Sequence, residues 1–575
     1  MNSSSLEISV PSGSLLNGIS PPTKLDMRYS SSSSSGTSTF DHETATTAST
    51  PATLNSDYAI PVVPGPSSLV TISGISTTQT TQTYVFGPSP IVTVDEDELQ
   101  KECTGIMLRN GKKYKVSLSL FSLTWERERK AKRIGKKGQK KYELKLEDVL
   151  GACSHLNFNF RHLFRKGRDL FKLRVYTYKK MEDGKWKNSY FQFFCHSLVE
   201  VQEWAKSINM RINLLQRPRR VHVFVNPFSG EGLACKVYNT KIAHIFQIAG
   251  ITTTVTVTER AGHAGDIVRE MDLNSTDAIV CIGGDGVFHE VFNGLLWRQQ
   301  YEMFGEEARK VNPQPCPIKI GLIPAGSTNT VVYCTTGLAD TTTSAMQIAM
   351  GRELKIDLTS CWFDGEIERF GTNFLGYGFF GDVLKSSEEY RWMGPTRYDF
   401  SGFKTIVNLK SYKGRIEFKE GLTSGSPQDI CKHGCLVCKE TTEQSEGQWT
   451  VLEDHFVSID GCVMSCCSPQ ANKGLSPAAH IGDGCLDLIV HRRASPLRYL
   501  KYLANTAFFS KPFTGDLVDV HRVTEFMFSS TCSHDKDTEC GNCSTWNIDG
   551  ELYHQHSIHV KVHRQGITLL ACQPG

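Results

Sequence analysis

The sequence predicts a mixed α/β and β chain of two or three globular domains, and three observations predict it. Apolar runs at 221–225, 277–282 and 318–323 alternate with helical stretches, which is how the strands of a parallel sheet covered on both faces read. After about Asp357 the runs alternate and become rich in glycine, the signature of an antiparallel β lobe. Between Thr104 and Asn213, short alternating runs precede one amphipathic helix, so a small β domain closed by a helix comes before both. The 575 residues are too many for one core.

Taken in order, residues 1–98 are rich in Ser, Thr and Pro, with six consecutive serines from Ser30 to Ser35. The charged side chains up to Val94 are only Glu7, Lys24, Asp26, Arg28, Asp41, Glu43 and Asp57, and no long apolar face accompanies them. Such a segment buries too little apolar surface to offset the entropy of ordering, so a disordered tail is expected. The small domain is expected over 99–215. Tyr114–Leu118 and Leu170–Tyr176 alternate between faces, and Leu198, Val201, Trp204, Ile208 and Ile212 line one face of a helix. Strands closed by a C-terminal helix carrying a central Trp resemble a pleckstrin-homology domain. Between its early strands stand Arg127, Arg129, Lys130, Lys132, Arg133, Lys136, Lys137, Lys140 and Lys141. This run reads either as a solvated loop or as a site for anionic lipid such as phosphoinositides, where each basic residue contributes about 1 kcal/mol. No nucleic-acid recognition motif accompanies the charge, so nucleic acid is not an expected partner.

Hydrophobic residues make up 39% of the chain, and no apolar run approaches the roughly eighteen residues of a membrane span. The first residues show neither an apolar signal segment nor a myristoylation glycine, so peripheral association with a membrane from the cytoplasm is expected. Nineteen cysteines in so large a chain fit reduced thiols, with a metal among them, better than a disulfide scaffold.

Gln216–Arg220 reads as a linker into an α/β lobe over 216–357. There the strand 277–282 runs into Gly283-Gly284-Asp285-Gly286 and a helix. The glycines permit a tight turn, and amides opening the helix face any polyanion placed there. Asn226-Pro227-Phe228-Ser229-Gly230 follows the strand 221–225, Pro324-Ala325-Gly326-Ser327-Thr328-Asn329 follows 320–323, and Thr258 ends a fourth strand. Open α/β sheets bind ligands at the carboxyl ends of their strands. There is no Gly-x-x-x-x-Gly-Lys-Ser/Thr loop and no His-Arg-Asp or Asp-Phe-Gly set, which disfavours two large ATP-binding classes.

The set Asn-Pro-x-x-Gly, Gly-Gly-Asp-Gly-x-x-x-Glu-Val-x-Asn-Gly and Pro-x-Gly-Ser-x-Asn resembles the diacylglycerol-kinase catalytic domain, from about Arg220 onward. Three stretches are similar to the ceramide-kinase branch: Gly376 to Asp382 with Tyr390 to Gly402, Leu475 to Gly484, and Cys431-x-x-x-Cys435-x-x-Cys438. The resemblance implies an α/β nucleotide lobe, a β-rich lipid lobe over 358–575, and transfer of the γ-phosphate of ATP, with Mg²⁺, to ceramide. Asp285 is the candidate base, because a hydroxyl must lose its proton as the phosphoryl group arrives. The resemblance further implies that Asp382, with Gly284 and Asp285, meets the lipid head group. It implies that Asn226, Pro227, Thr258, Gly283, Gly284, Gly286, Glu290, Ser327 and Asn329 line the nucleotide. Arg391 and Arg397 would stand near its phosphates, and Asp549 and Glu551 would place nucleotide and Mg²⁺.

Two Cys-x-x-Cys pairs, Cys435/Cys438 and Cys540/Cys543, suit a tetrahedral Zn²⁺ if the fold joins them, with reduced thiols as the alternative. His554, His556, His559 and His563 read as a solvated strand face rather than metal ligands. Arg498–Leu503 resembles a calmodulin-binding stretch or is a buried helix. The competing functions are a sphingosine or diacylglycerol kinase, and a lipid-binding scaffold without catalysis. The membrane expected is the Golgi or the plasma membrane.

Overall fold

The structure, a computed structural model, describes residues 102–128, 140–156, 170–421, 430–439, 447–468, 471–506, 517–531 and 543–574. The tail 1–98, most of the basic run including Lys136 and Lys137, and Cys540 lie outside the described residues.

Seven antiparallel strands open the described chain: β1 (Cys103–Arg109), β2 (Lys112–Leu118), β3 (Ser122–Arg127), β4 (Lys141–Lys145), β5 (Val149–Leu156), β6 (Phe171–Lys180) and β7 (Trp186–Cys195). Their order is β4-β3-β2-β1-β7-β6-β5, and the two halves meet at the pairing of Leu108 with Phe194. Helix α1 (Leu198–Asn213) begins where the Ser197 hydroxyl accepts the Glu200 amide at 3.2 Å, a standard N-cap. Its Val201, Trp204, Ile208 and Ile212 pack on Val116, Trp125, Leu173 and Phe193, the face that the three- and four-residue spacing predicts.

The α/β lobe carries β8 (Arg220–Val225), β9 (Thr252–Val257), β10 (Ala278–Gly283) and β11 (Lys319–Pro324), all parallel, in the order β9-β8-β10-β11. Helices α2 (His263–Glu270), α3 (Asp285–Phe304), α4 (Thr330–Thr336) and α5 (Thr341–Ala349) flank it. Both faces are buried. Val221, Val223, Val225, Val280 and Ile282 join one core, while Phe224, Ile279 and Cys281 join the other with Phe288, Val291 and Phe292 of α3. Strand order reverses beside β8, so the space between β8 and β10 is the topological switch point where such sheets bind ligands.

The remainder holds β12 (Glu353–Phe363), β13 (Glu366–Gly371), β14 (Phe374–Gly378), helices α6 (Phe379–Glu388) and α7 (Arg397–Val407), β15 (Tyr412–Glu420), β16 (Trp449–Cys462), β17 (Leu486–Arg492) and helix α8 (Pro496–Ala504). It ends with β18 (Val518–Ser530), β19 (Trp546–Ile548), β20 (Glu551–Tyr553) and β21 (Ser557–Leu570). Two features differ from the expectation of a separate antiparallel lobe. Among the described residues α6, α7, α8 and a four-residue helix at Leu436–Lys439 interrupt the strands, and the sheet is continuous with the nucleotide lobe. β21 pairs antiparallel with β12 and β18, and also parallel with β11 through Ile320 and Leu569. A boundary at 357/358 therefore falls inside β12.

The segment Gln216–Arg220 is no loose linker. The buried Arg217 guanidinium donates to the carbonyls of Val149 (2.6 Å), Leu146 (3.0 Å) and Glu147 (2.8 Å). Burial pulls its pKa down to about 10. Nearby, the Trp186 amide donates to the Thr343 hydroxyl at 2.9 Å and Arg352 pairs with Asp148 at 2.8 Å. Leu150, Tyr176 and Trp186 belong to the same core as Phe246 and Met346, so the small domain packs on the α/β lobe. Replacing Arg217 by Met would leave three carbonyls without their donor. The expected loss is about 1–3 kcal/mol, read as a lower calorimetric midpoint together with faster tryptic cleavage at Arg219 or Arg220.

Candidate functional site

Three loops converge at the carboxyl ends of β8, β10 and β11. Beyond the strands, the Asn226 amide donates to the Ile282 carbonyl at 3.0 Å, Thr258 to Val225 at 2.9 Å and Ala325 to Gly283 at 2.8 Å. The Gly284 amide reaches the Ser229 hydroxyl at 3.3 Å. Asn226 accepts the Phe228 amide on its side-chain oxygen at 2.9 Å. Asn329, at φ 52°, closes its own loop, accepting from the Gly326 amide and donating to the Gly326 carbonyl. The loops touch backbone to backbone: a Cβ added at Gly326 would lie 2.3 Å from the Gly284 Cα, and one at Gly283 would lie 2.9 Å from the Ser229 hydroxyl. Pro227 is half-buried, and Gly286 and Ser327 are exposed, so the first turn of α3 faces solvent beside these loops. That arrangement suits an anion at a helix N-terminus.

Carboxylates fix the surroundings. Asp285 accepts the amides of Thr330 (2.9 Å) and Val331 (3.0 Å) at the start of α4. Burial pushes its pKa up, the two amides pull it back, and the charge of Asp549 adds to the rise. Asp549 and Gly550 both have positive φ, as the two-residue turn between β19 and β20 requires. The buried Asp549 carboxylate accepts from Thr372 (2.8 Å), Asn373 (3.2 Å) and Phe374 (2.8 Å), and lies 3.4 Å from His289 Nδ1. Burial pulls the His289 pKa down, so the imidazole is neutral at physiological pH. Asn293 donates to the carbonyls of His289 and Phe370 and accepts the Phe370 amide at 3.0 Å. That stitches α3 to β13.

Glu290 points elsewhere than expected. Its carboxylate is held by the amides of Gly262 and Ala264, at the N-terminus of α2, while burial pushes its pKa up. Glu551 is exposed and acts electrostatically on His289, Glu290 and Arg391. Arg391 and Arg397 converge on Glu388 at the end of α6, Arg391 through Nε at 2.7 Å and Arg397 at 3.6 Å. Arg397 also donates to the Tyr398 hydroxyl at 2.7 Å. Asp382, on the same helix, accepts from Tyr412 Oη at 2.5 Å and Ser544 Oγ at 2.7 Å, and burial pushes its pKa up. Asn293 stands in the quoted motif but was given no role, and His289, Glu388, Tyr412 and Ser544 escaped sequence reasoning. Of these four, His289 carried a signal, four residues after Asp285 on the same helix.

Residues 220–361 match the diacylglycerol kinase catalytic domain family, and residues 374–573 match the ceramide kinase C-terminal domain family. A ceramide kinase of Homo sapiens is 35% identical over 443 residues, 70% of this chain and 82% of its own. The chain belongs to the ceramide kinase family. A ceramide kinase of Arabidopsis thaliana is 29% identical over 524 residues, 73% of this chain and 84% of its own. The crystal structure of a diacylglycerol kinase from Bacillus anthracis str. Sterne aligns with a TM-score of 0.40 at 14% identity, over 62% of this chain and 97% of that one. The first family segment ends within β12, and the second begins at Phe374, whose amide Asp549 holds.

Other candidate residues fall differently from the spacing. Cys435 and Cys438 gather with Cys431 and His480, their ligand atoms all within 4.8 Å of one another. Cys543 is not part of that group and stands 3.3 Å from the Ser530 hydroxyl. The reason is that the loop after Gly474 brings His480 beneath the cysteines, a long-range contact that no local motif encodes. Arg498–Leu503 lies in α8, whose Tyr499 and Tyr502 are buried on His491. His559 and His563 are half-buried rather than solvated: His559 bonds Glu525 at 3.0 Å and His563 bonds Ser360 at 2.7 Å. Burial pulls the His563 pKa down to about 4.

The loop packing makes a sharp test. Gly326→Ala forces the second and third loops apart, and affinity for MgATP is expected to fall tenfold or more, about 1.4 kcal/mol, by titration calorimetry. Unchanged affinity would detach these loops from nucleotide binding.

Proposed function

We propose that this chain transfers the γ-phosphoryl group of ATP to the primary hydroxyl of ceramide, giving ceramide 1-phosphate and ADP. The observation that carries the reading is the placement of Asp285 among glycine loops at the switch point, in a chain whose second lobe matches the ceramide kinase C-terminal family. The glycine loops after β8 and β10, with the first turn of α3, bind the phosphates. As the hydroxyl oxygen forms its bond to the γ-phosphorus, its proton passes to Asp285 and the bond to the bridging oxygen breaks. Each Asp285 oxygen gives one lone pair to an amide and keeps another for this proton, and the raised pKa makes it a better base than an exposed carboxylate.

The Asp549 side chain is fully buried, with three backbone amides on its carboxylate and His289 facing Oδ2, so it does not fit as a direct metal ligand. Glu551, one β-turn away and exposed, is the carboxylate that would hold Mg²⁺, which when bound with ATP neutralises phosphate charge. Asp382, Tyr412 and Ser544 form a polar trio for the amide and hydroxyl of the sphingoid head group. Beside them α7 and α8 expose Phe403, Val407 and Leu497, and Trp392 just before α7 is 82% exposed. This apolar surface suits the acyl chains at the edge of a bilayer. Among the described residues no helix is long and apolar enough to cross a membrane. The seven-stranded domain, read as a pleckstrin-homology domain, docks on anionic lipids such as phosphoinositides of the Golgi or plasma membrane. The exposed Leu497 and Leu500 of α8 leave calmodulin a smaller surface than the sequence suggests, because the tyrosines of that helix are buried.

With labelled ATP and separate micelles of ceramide, sphingosine and diacylglycerol, ceramide is expected to be the preferred acceptor. Faster phosphorylation of either rival lipid would reassign the substrate. Asp285→Asn keeps shape and one capping bond but loses the base. Turnover is expected to fall about 10²–10⁴-fold with MgATP affinity largely kept, and near-native turnover in the folded variant would move the base to Asp382.

A further inference from the structure

Cys431, Cys435, Cys438 and His480 present four ligand atoms to one point. Cys431 and Cys438 Sγ stand 3.6 Å apart, and His480 Nδ1 is 3.2 Å from Cys435 Sγ and 3.9 Å from Cys438 Sγ. Zn–S bonds of about 2.3 Å in a regular tetrahedron place sulfurs about 3.8 Å apart, and a sulfur and an imidazole nitrogen slightly closer. The three separations of 3.6, 3.2 and 3.9 Å scatter around those edges, and all four ligand atoms lie within 4.8 Å of one another. A disulfide would join two sulfurs and leave the others out, whereas here the histidine faces two sulfurs at once.

Further contacts hold the cluster in place. Cys431 Sγ accepts from Gln573 Nε2 at 3.4 Å and from the Ile481 amide. The Cys438 carbonyl receives Arg564 (2.9 Å) and Gln565 (2.8 Å) from β21. His480 is buried.

We propose that these four residues form a structural Zn²⁺ site that fastens residues 430–439 to the loop bearing His480. Three thiolates and one neutral imidazole fill a tetrahedral shell, leaving no position for water or substrate, so the ion holds the fold and takes no part in phosphoryl transfer. The 430–439 segment has only a four-residue helix, Leu436–Lys439, which cannot hold itself in place.

The test measures metal, not turnover, so it is independent of the acceptor lipid. Full-length protein purified under reducing conditions without chelator is expected to carry about one zinc per chain by mass spectrometry. Its zinc-edge absorption is expected to show three sulfurs near 2.3 Å and one nitrogen near 2.0–2.1 Å. Cys435→Ser with Cys438→Ser should lose the zinc and lower the melting temperature. His480→Cys should keep the zinc with a fourth sulfur in the spectrum, and Cys540→Ser with Cys543→Ser should keep it unchanged. Folded wild-type protein that stays metal-free after incubation with stoichiometric Zn²⁺ would overturn the proposal. So would zinc that survives the Cys435/Cys438 double change or leaves with Cys540 and Cys543.

Discussion

The Asp285 carboxylate receives the amides that open α4, while its own backbone opens α3, so two helix N-termini are tied at one side chain. Much else follows from that tie. It sets the distance between the loop after β10 and the loop after β11, and the Gly284–Gly326 contact is what lets them come so close. A carboxylate buried without such donors would simply take up a proton. The same device recurs: Glu290 holds the start of α2, and Asp549 holds the turn at 372–374. Rigid backbone amides thus place each acidic group, and the candidate site is assembled from strand ends rather than from mobile side chains.

The α/β lobe was legible because its signals are local. Apolar runs and glycine turns at their carboxyl ends are properties of short windows, as is the face of α1 in the small domain, and the strands and helix lie where those windows put them. Roles within the motif were less legible. Glu290 belongs to the same motif as Asp285, yet it caps a neighbouring helix, and Asn293 bonds to β13 seventy-seven residues away. The resemblance implies a place near phosphates for Arg391 and Arg397, and both converge on Glu388, which is unremarkable in sequence. Helices α6 and α7 were missed because glycines and aromatics surround them in a stretch whose overall pattern alternates, whereas α8 lies where Arg498–Leu503 was read as a buried helix.

The small β domain and the α/β lobe are not mechanically independent. Arg217 anchors three carbonyls of the small β domain from within the connecting segment, and Trp186 shares a core with Met346 of α5. A Cβ at Gly151 would lie 2.1 Å from the Ile248 carbonyl, so the two surfaces meet at backbone contact. The orientation of the kinase lobe relative to the small domain is therefore set by packing inside the protein.

β21 completes the sheet on which the nucleotide loops stand, pairing Leu569 with Ile320. During synthesis at roughly 5–20 residues per second, some 12–50 s separate the emergence of these two positions. For that interval β11 offers a bare apolar edge, the kind of surface that recruits other unfinished chains. The nascent lobe can pair β8 to β11 among themselves, but the last edge of its sheet stays open until β21 arrives.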